Sequence, residues 1–158
     1  MFPQTLETEN LVLDQFCDEQ IDVFELYDLF AKGREGVKDV FEYVPQEPYG
    51  SVKEARDQLV EAETSWKEAD SVQYAVYTVN DSLAGYTGLF FKWERRTARI
   101  GFTFSKQYWG NGYAGECAMA LTRLAFDRLD LELVAIGYED GNEKSKRAIE
   151  KFIETVGG

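Results

Sequence analysis

"QYWGNGYAGE", residues 107–116, stands between an alternating stretch, "IGFTF" (100–104), and a long run with apolar residues at helical spacing. The pattern predicts a strand, a tight connection and then a helix. Gly110 and Gly112 fall at the mouth of that helix. The first backbone N–H groups of a helix have no intrahelical partner, and the helix dipole adds positive potential there. Glycine lets an anion approach those groups with no Cβ in the way. Read as a G-x-G pair, the stretch fits a phosphate cradle and a plain tight turn equally well. No lysine follows as in G-x-x-x-x-G-K-[ST]. The surrounding chain has to decide.

Downstream, Ala114, Cys117, Ala118, Leu121, Leu124 and Ala125 mark a long amphipathic helix. "LELVAIGYE" (131–139) reads as a strand, and a last helix is expected from Asn142, with Ala148, Ile149, Phe152 and Ile153 on one face. Upstream, "VQYAVYTV" (72–79), "LAGYTGLFFKW" (83–93) and "TARIGFTF" (97–104) are joined by the turn signals "NDS" and "ERR", which predicts an antiparallel meander. Ser51 and Glu54 form a capping box ahead of Val52, Ala55, Leu59, Ala62 and Trp66, a second amphipathic helix. Residues 37–50 hold two prolines and read as a loop with one short turn. A first helix is expected from an Asp18 N-cap, with Ile21, Phe24, Tyr27 and Ala31 on its face, and Gly33 and Gly36 breaking it. "NLVLDQF" (10–16) reads as the opening strand. The order β-α-α-βββ-α-β-α gives an α+β or α/β chain, one domain over residues 1–158, around one mostly antiparallel sheet.

Composition narrows the function classes. The net charge is −12, from 29 acidic and 17 basic residues, which repels phosphate backbones and argues against nucleic acid as a partner. Such a surface favours cationic partners such as amines, or simply solubility. No apolar run reaches membrane-spanning length. "MFPQTLETEN" lacks the order of a secretory signal, so a cytoplasmic protein without a membrane partner is expected. Cys17 and Cys117 read as reduced, buried thiols. Histidine is absent, which removes the commonest general base and zinc ligand, and no metal is expected.

With its flanks, the glycine stretch resembles the Q/R-x-x-G-x-G/A acetyl-coenzyme A loop of the GNAT acyltransferases, and in particular the branch that acetylates ribosomal-protein N-termini. "LETENLVLDQF", "IGFTF", "YWGNGYAGECAMALTRLAFDRL" and "GNEKSKRAIEKF" resemble the branch's opening strand, its "iGyxl" strand, its loop and long helix, and its N-x-x-S-x-x-x-x-E-K segment, in the same order. The resemblance implies a three-layer fold with a mixed, mostly antiparallel twisted sheet flanked by helices. It implies that the backbone of Phe102, Thr103 and Phe104 pairs with the pantetheine arm. The N–H groups of Tyr108, Trp109, Gly110, Asn111, Gly112, Tyr113 and Ala114 would hold the pyrophosphate, and Asn142 the pantetheine amide. Ser145 would protonate the leaving thiolate. The reaction implied is direct acetyl transfer from acetyl-CoA to a primary amine, with a basic protein N-terminus or a small amine as acceptor. A non-catalytic acyl-CoA-binding module is the alternative, and a purely structural domain a third reading.

Each residue keeps a plainer role beside the implied one. Asn142 is also a good N-cap and Ser145 an ordinary first-turn serine. Glu116 either favours the helix dipole or orients a catalytic water. Tyr108 and Trp109 either touch ligand or pack the loop, and Cys117 lies on the apolar stripe. Glu42, Tyr43, Glu47 and Tyr49 lie where relatives wall the acceptor pocket, as loop packing or as a cation site. Two departures stand out. Arg99 occupies the place where the branch often carries a glutamate, which leaves the base open, with water an equal choice. "EKFIETVGG" ends at Gly158 where the branch continues into two strands, so the expectation is a missing closing hairpin and an open sheet edge that a second copy, in a homodimer, would cover.

Overall fold

The computed structural model describes residues 2–42, 46–129 and 131–136. Its frame is a six-stranded sheet with the strands side by side in chain order. They are β1 (Thr5–Glu7), β2 (Leu11–Gln15), β3 (Ser71–Thr78), β4 (Leu83–Lys92), β5 (Thr97–Phe104) and β6 (Leu133–Ile136). Neighbours from β1 to β5 are antiparallel, and β5 and β6 are parallel. Short turns join β1 to β2, β3 to β4 and β4 to β5 and reverse the chain. The long connection from β2 to β3 also reverses it, whereas the helix α4 (Tyr113–Asp127) carries the chain back to the start of a parallel neighbour.

Side-chain alternation sorts the sheet into two apolar layers. Leu13, Val72, Tyr74, Leu89, Ile100 and Phe104 face Cys117, Leu121, Leu124 and Ala125 of α4. On the other face Phe16, Ala75 and Tyr86 pack with Leu26 and Phe30 of α1 (Val23–Phe30) and Leu59 of α3 (Val52–Lys67). Each fully buried Leu or Phe contributes about 1.5–3 kcal/mol by leaving water. That sum fixes the register of β5: Ala98, Ile100 and Phe104 point to α4, so Arg99, Gly101 and Thr103 point the other way.

The three-stranded meander and the long helix follow the sequence reading closely, and three details differ. The chain carries a further strand, β1, and a short helix, α2 (Val37–Val40), that falls in the expected turn. The first helix is capped four residues after the expected position. Gln20 and Ile21 donate to the Cys17 carbonyl in a turn, at 3.2 and 3.1 Å, and Asp22 is the cap, accepting from the Phe24 N–H at 2.9 Å. The buried face is therefore Val23, Leu26, Leu29 and Phe30, and Phe24 is 61% exposed. At α3 the capping box is displaced by one residue: Glu54 accepts from the Gly50 N–H at 2.7 Å, and the Ser51 hydroxyl makes no bond to the helix amides. The expected last helix, with Asn142 and Ser145, lies outside the described residues, as does Tyr43. No described helix is long and apolar enough to cross a membrane.

Candidate functional site

β5 ends at Phe104, and the chain then makes a single 3-10 turn over Lys106–Tyr108 before Gly110–Gly112 lead into α4. The turn is tied down before the glycines begin. Ser105 donates to the Ala84 carbonyl at 2.9 Å, and the Trp109 indole N–H to the Phe104 carbonyl at 3.0 Å. Lys106 pairs with Asp39, joining the turn to α2. The Tyr108 and Trp109 amides are already satisfied, by the carbonyls of Ser105 at 2.9 Å and Lys106 at 3.1 Å. These two amides therefore do not belong to the expected cradle, because the 3-10 turn uses them; both residues serve as its anchor.

From Gly110 to Gly115 the amides donate to no described residue, and α4 has no side-chain N-cap. The first bond that closes the helix is Glu116 N–H to the Gly112 carbonyl, at 3.1 Å. Gly110 and Gly112 both have positive φ, 87° and 78°, which turns the backbone outward and favours glycine. A Cβ built on Gly110, Gly112 or Gly115 would meet nothing within 4 Å. The result is a row of unpaired donors over open space at the positive end of a 15-residue helix, an arrangement suited to a diphosphate. With Gly110 and Gly112, Gly115 completes the spacing G-x-G-x-x-G, one glycine more than the G-x-G pair. Among the described strands only β5 and β6 pair in parallel, so they do not form the doubly wound sheet that usually accompanies that spacing.

An extended arm leaving the cradle has an edge to pair with. β6 is paired with β5 from Thr97↔Leu133 to Ile100↔Ile136, and residues 101–104 have no described partner on that side. Phe104 is buried against α4 and Phe102 is half-buried beside it, ring centroids 6.1 Å apart. Tyr113 closes the same cluster, 6.4 Å from Phe104 and 6.3 Å from Tyr108. Thr103 lies on the opposite face, across from Tyr86.

Of the two roles open to Glu116, the helix start and a water, its contacts favour the helix start. Its carboxylate accepts from the Thr8 hydroxyl, from the Asn10 N–H at 2.8 Å and from the Asn10 side-chain amide at 3.0 Å. Partial burial pushes its pKa up, but these donors together outweigh burial and hold it below the ordinary carboxylate value. A carboxylate so engaged is a poor base; it clamps the β1–β2 turn onto the first turn of α4. A cleft of about 420 Å³ beside this clamp, lined by Glu7, Met119, Arg123 and Arg128 among others, contains none of the cradle glycines.

The acceptor-side residues separate. Glu42 and Glu47 are exposed. Tyr49 is buried: its N–H donates to Phe30, its carbonyl accepts from Lys32, and its hydroxyl donates to Gln58. It therefore belongs to an inner polar chain that sequence reading missed. The Tyr86 hydroxyl donates to Gln46 at 2.7 Å, and Gln46 donates to Gln58 at 3.2 Å. Burial drives the Tyr86 pKa up, with bonds from Gln58, Thr103 and Gln46 acting against it, so Tyr86 stays a protonated donor. A tyrosine inside an otherwise apolar strand was the only available signal. Cys117 is fully buried, and burial, then the Glu116 charge, raise its pKa, as befits a core thiol. Among the described residues no group of His, Cys, Asp and Glu could hold a metal.

Known proteins share this architecture. Two curated Bacillus proteins are similar in sequence. The chain is 38% identical over 53 residues to the uncharacterized protein YkkB of Bacillus subtilis, a match covering 34% of this chain and 31% of YkkB. It is 26% identical over 144 residues to the uncharacterized N-acetyltransferase p20 of Bacillus licheniformis, covering 90% and 77%. Among solved structures, RimL, a ribosomal L7/L12 alpha-N-protein acetyltransferase in complex with coenzyme A, superposes with a TM-score of 0.79 at 18% identity, over 94% of this chain and 82% of that one. At that identity the likeness is one of fold. The acetyltransferase (GNAT) domain model matches residues 10–152, which take in the sheet from β2 onward, the glycine loop and α4. The chain therefore belongs to the GNAT acetyltransferase family, whose general activity is acetyl transfer from acetyl-CoA.

Proposed function

We propose that this protein transfers an acetyl group from acetyl-CoA to a primary amine by direct attack. The observation that carries the reading is the row of amides from Gly110 to Gly115 that donate to no described residue, beside the edge of residues 101–104, which has no described partner. The amides suit the pyrophosphate, and the edge suits the amide-bearing pantetheine as an added strand. The amine lone pair attacks the thioester carbonyl, the C–N bond forms, the C–S bond breaks, and the proton lost by nitrogen ends on the coenzyme thiol. The demands are positioning and a proton path, with no metal and no covalent enzyme intermediate. By family resemblance Asn142 contacts the pantetheine and Ser145 delivers the proton to the thiolate. Glu42 and Glu47, both exposed, favour the approach of a cationic amine.

The test has two stages. Coenzyme A at a hundredfold excess over its Kd should stabilise the fold by about 2.7 kcal/mol, read as a rise in melting temperature. Acetyl-CoA with a panel of primary amines should then release free thiol. An unchanged melting temperature sinks the cradle, and binding without release for any amine leaves a coenzyme-binding module and no enzyme.

A further inference from the structure

We propose that Arg99 selects an acceptor that carries a carboxylate as well as the amine. This rests on the acetyl-transfer reading and specifies its acceptor. An arm leaving the cradle runs back along β5 from Phe104 towards Ile100, where pairing with β6 closes the edge. The reacting end therefore lies beside Gly101. Among the described residues the α4 side of this stretch is filled by Ile100, Phe104 and Leu121, which leaves the other face to an acceptor. That face presents Thr103, Gly101 beside the Phe90 ring, and Arg99 in succession.

Phe90, paired with Arg99 across the strands, lays its ring against Gly101, where a Cβ would come within 3.2 Å of it. The Arg99 guanidinium stacks over that same ring, 5.0 Å from its centroid. Arg99 is exposed, and it makes no ion pair with any described residue, in a chain with 29 acidic against 17 basic residues. A guanidinium steadied on an aromatic face, with its fork of N–H donors unused, is built to take a carboxylate in bidentate fashion. The surface charge of −12 attracts the ammonium end and penalises a dianion such as phosphate more than a carboxylate. A zwitterion of the α-amino acid type satisfies both fields.

The experiment compares α-amino acids with their methyl esters and their decarboxylated amines, each with acetyl-CoA, following thiol release. The free acid should show a KM lower by about tenfold or more, the value of a charge-assisted bond. Arg99→Ala should erase that preference while leaving ester turnover in place, Arg99→Lys should keep part of it, and Arg99→Glu should turn it toward the decarboxylated amine. Equal KM values for acid and ester in the native protein, or a preference that survives Arg99→Ala, overturn the proposal. Thiol release without carboxylate preference removes this inference alone; no release with any amine, while coenzyme A still raises the melting temperature, removes the transferase reading and this inference with it.

Discussion

Four glycines in this molecule do opposite things. Gly85 and Gly88, in β4, are hemmed in: a Cβ would lie 2.1 Å from the Thr103 carbonyl at Gly85 and 2.6 Å from the Val72 carbonyl at Gly88. Gly110 and Gly112, at the mouth of α4, face nothing within 4 Å and hold positive φ. The first pair lets strands come close together. The second pair leaves room for something that is not protein. The residue type is the same, and only what a side chain would meet tells a packing glycine from a binding one.

Gly85→Ala probes the packing half and should have the largest effect. The new methyl would collide with the Thr103 oxygen and lie 2.8 Å from the Phe104 Cα, both backbone, so relief requires β5 itself to move. A loss of about 3 kcal/mol or more in urea denaturation is expected, the range of severe overpacking. Survival within 0.5 kcal/mol would break the comparison at its firmer end. The binding half is probed by Gly110→Ala with Gly112→Ala. Each costs about 1–2 kcal/mol of stability through positive φ, and neither meets a steric neighbour. Coenzyme A affinity should fall by roughly 10- to 100-fold by calorimetry, the value of one lost amide contact to an anion, about 1.5–3 kcal/mol. Affinity unchanged in a folded double variant reduces the loop to a turn.

The same contrast shows what could be read from the chain. The meander and α4 were legible because period-two and helical apolar patterns are local, and β5 fell on its expected bounds, Thr97–Phe104. β1 was not legible: Thr5–Glu7 is three residues, none of them buried, held by backbone pairing to β2. Of two nearby aspartates, the cap is Asp22, because a turn on the Cys17 carbonyl takes up the residues after Asp18. At the site, the glycines marked the bare backbone ahead of α4. That the Tyr108 and Trp109 amides are used up by a 3-10 turn depends on backbone geometry that no residue pattern encodes. Least legible were the long-range polar ties. Thr8 and Glu116 are 108 residues apart in the chain, and Gln46 and Tyr86 are 40 apart.

Glu116→Gln tests whether the helix start is shaped from inside the protein as well as by its glycines. The variant keeps the shape and loses charge-assisted bonds from Thr8 and Asn10, so it should cost about 1–2 kcal/mol near neutral pH. The sign of the pH dependence follows from the depressed pKa. The stability from this carboxylate is present above its unfolded value, near 4.5, and is lost as pH falls through the lower folded value. The gap between native and variant should therefore narrow in acid. A gap that is constant down to pH 3 would mean that the contact is one of packing.

The smallest effect is expected at Asn111, between the two loop glycines. Its side-chain amide donates to the Tyr108 carbonyl at 3.1 Å in an exposed position. Removing such a bond typically changes stability by about 0.5 kcal/mol or less. Because the cradle is made of main-chain N–H groups, Asn111→Ala leaves every proposed donor in place and should keep coenzyme A affinity within about twofold, under 0.5 kcal/mol. A tenfold loss would show that this side chain grips the ligand, and the contrast between the glycine pairs would then have to share its explanation with Asn111. Intact binding in Asn111→Ala beside lost binding in the double alanine variant would place recognition in the backbone, where the missing Cβ atoms matter.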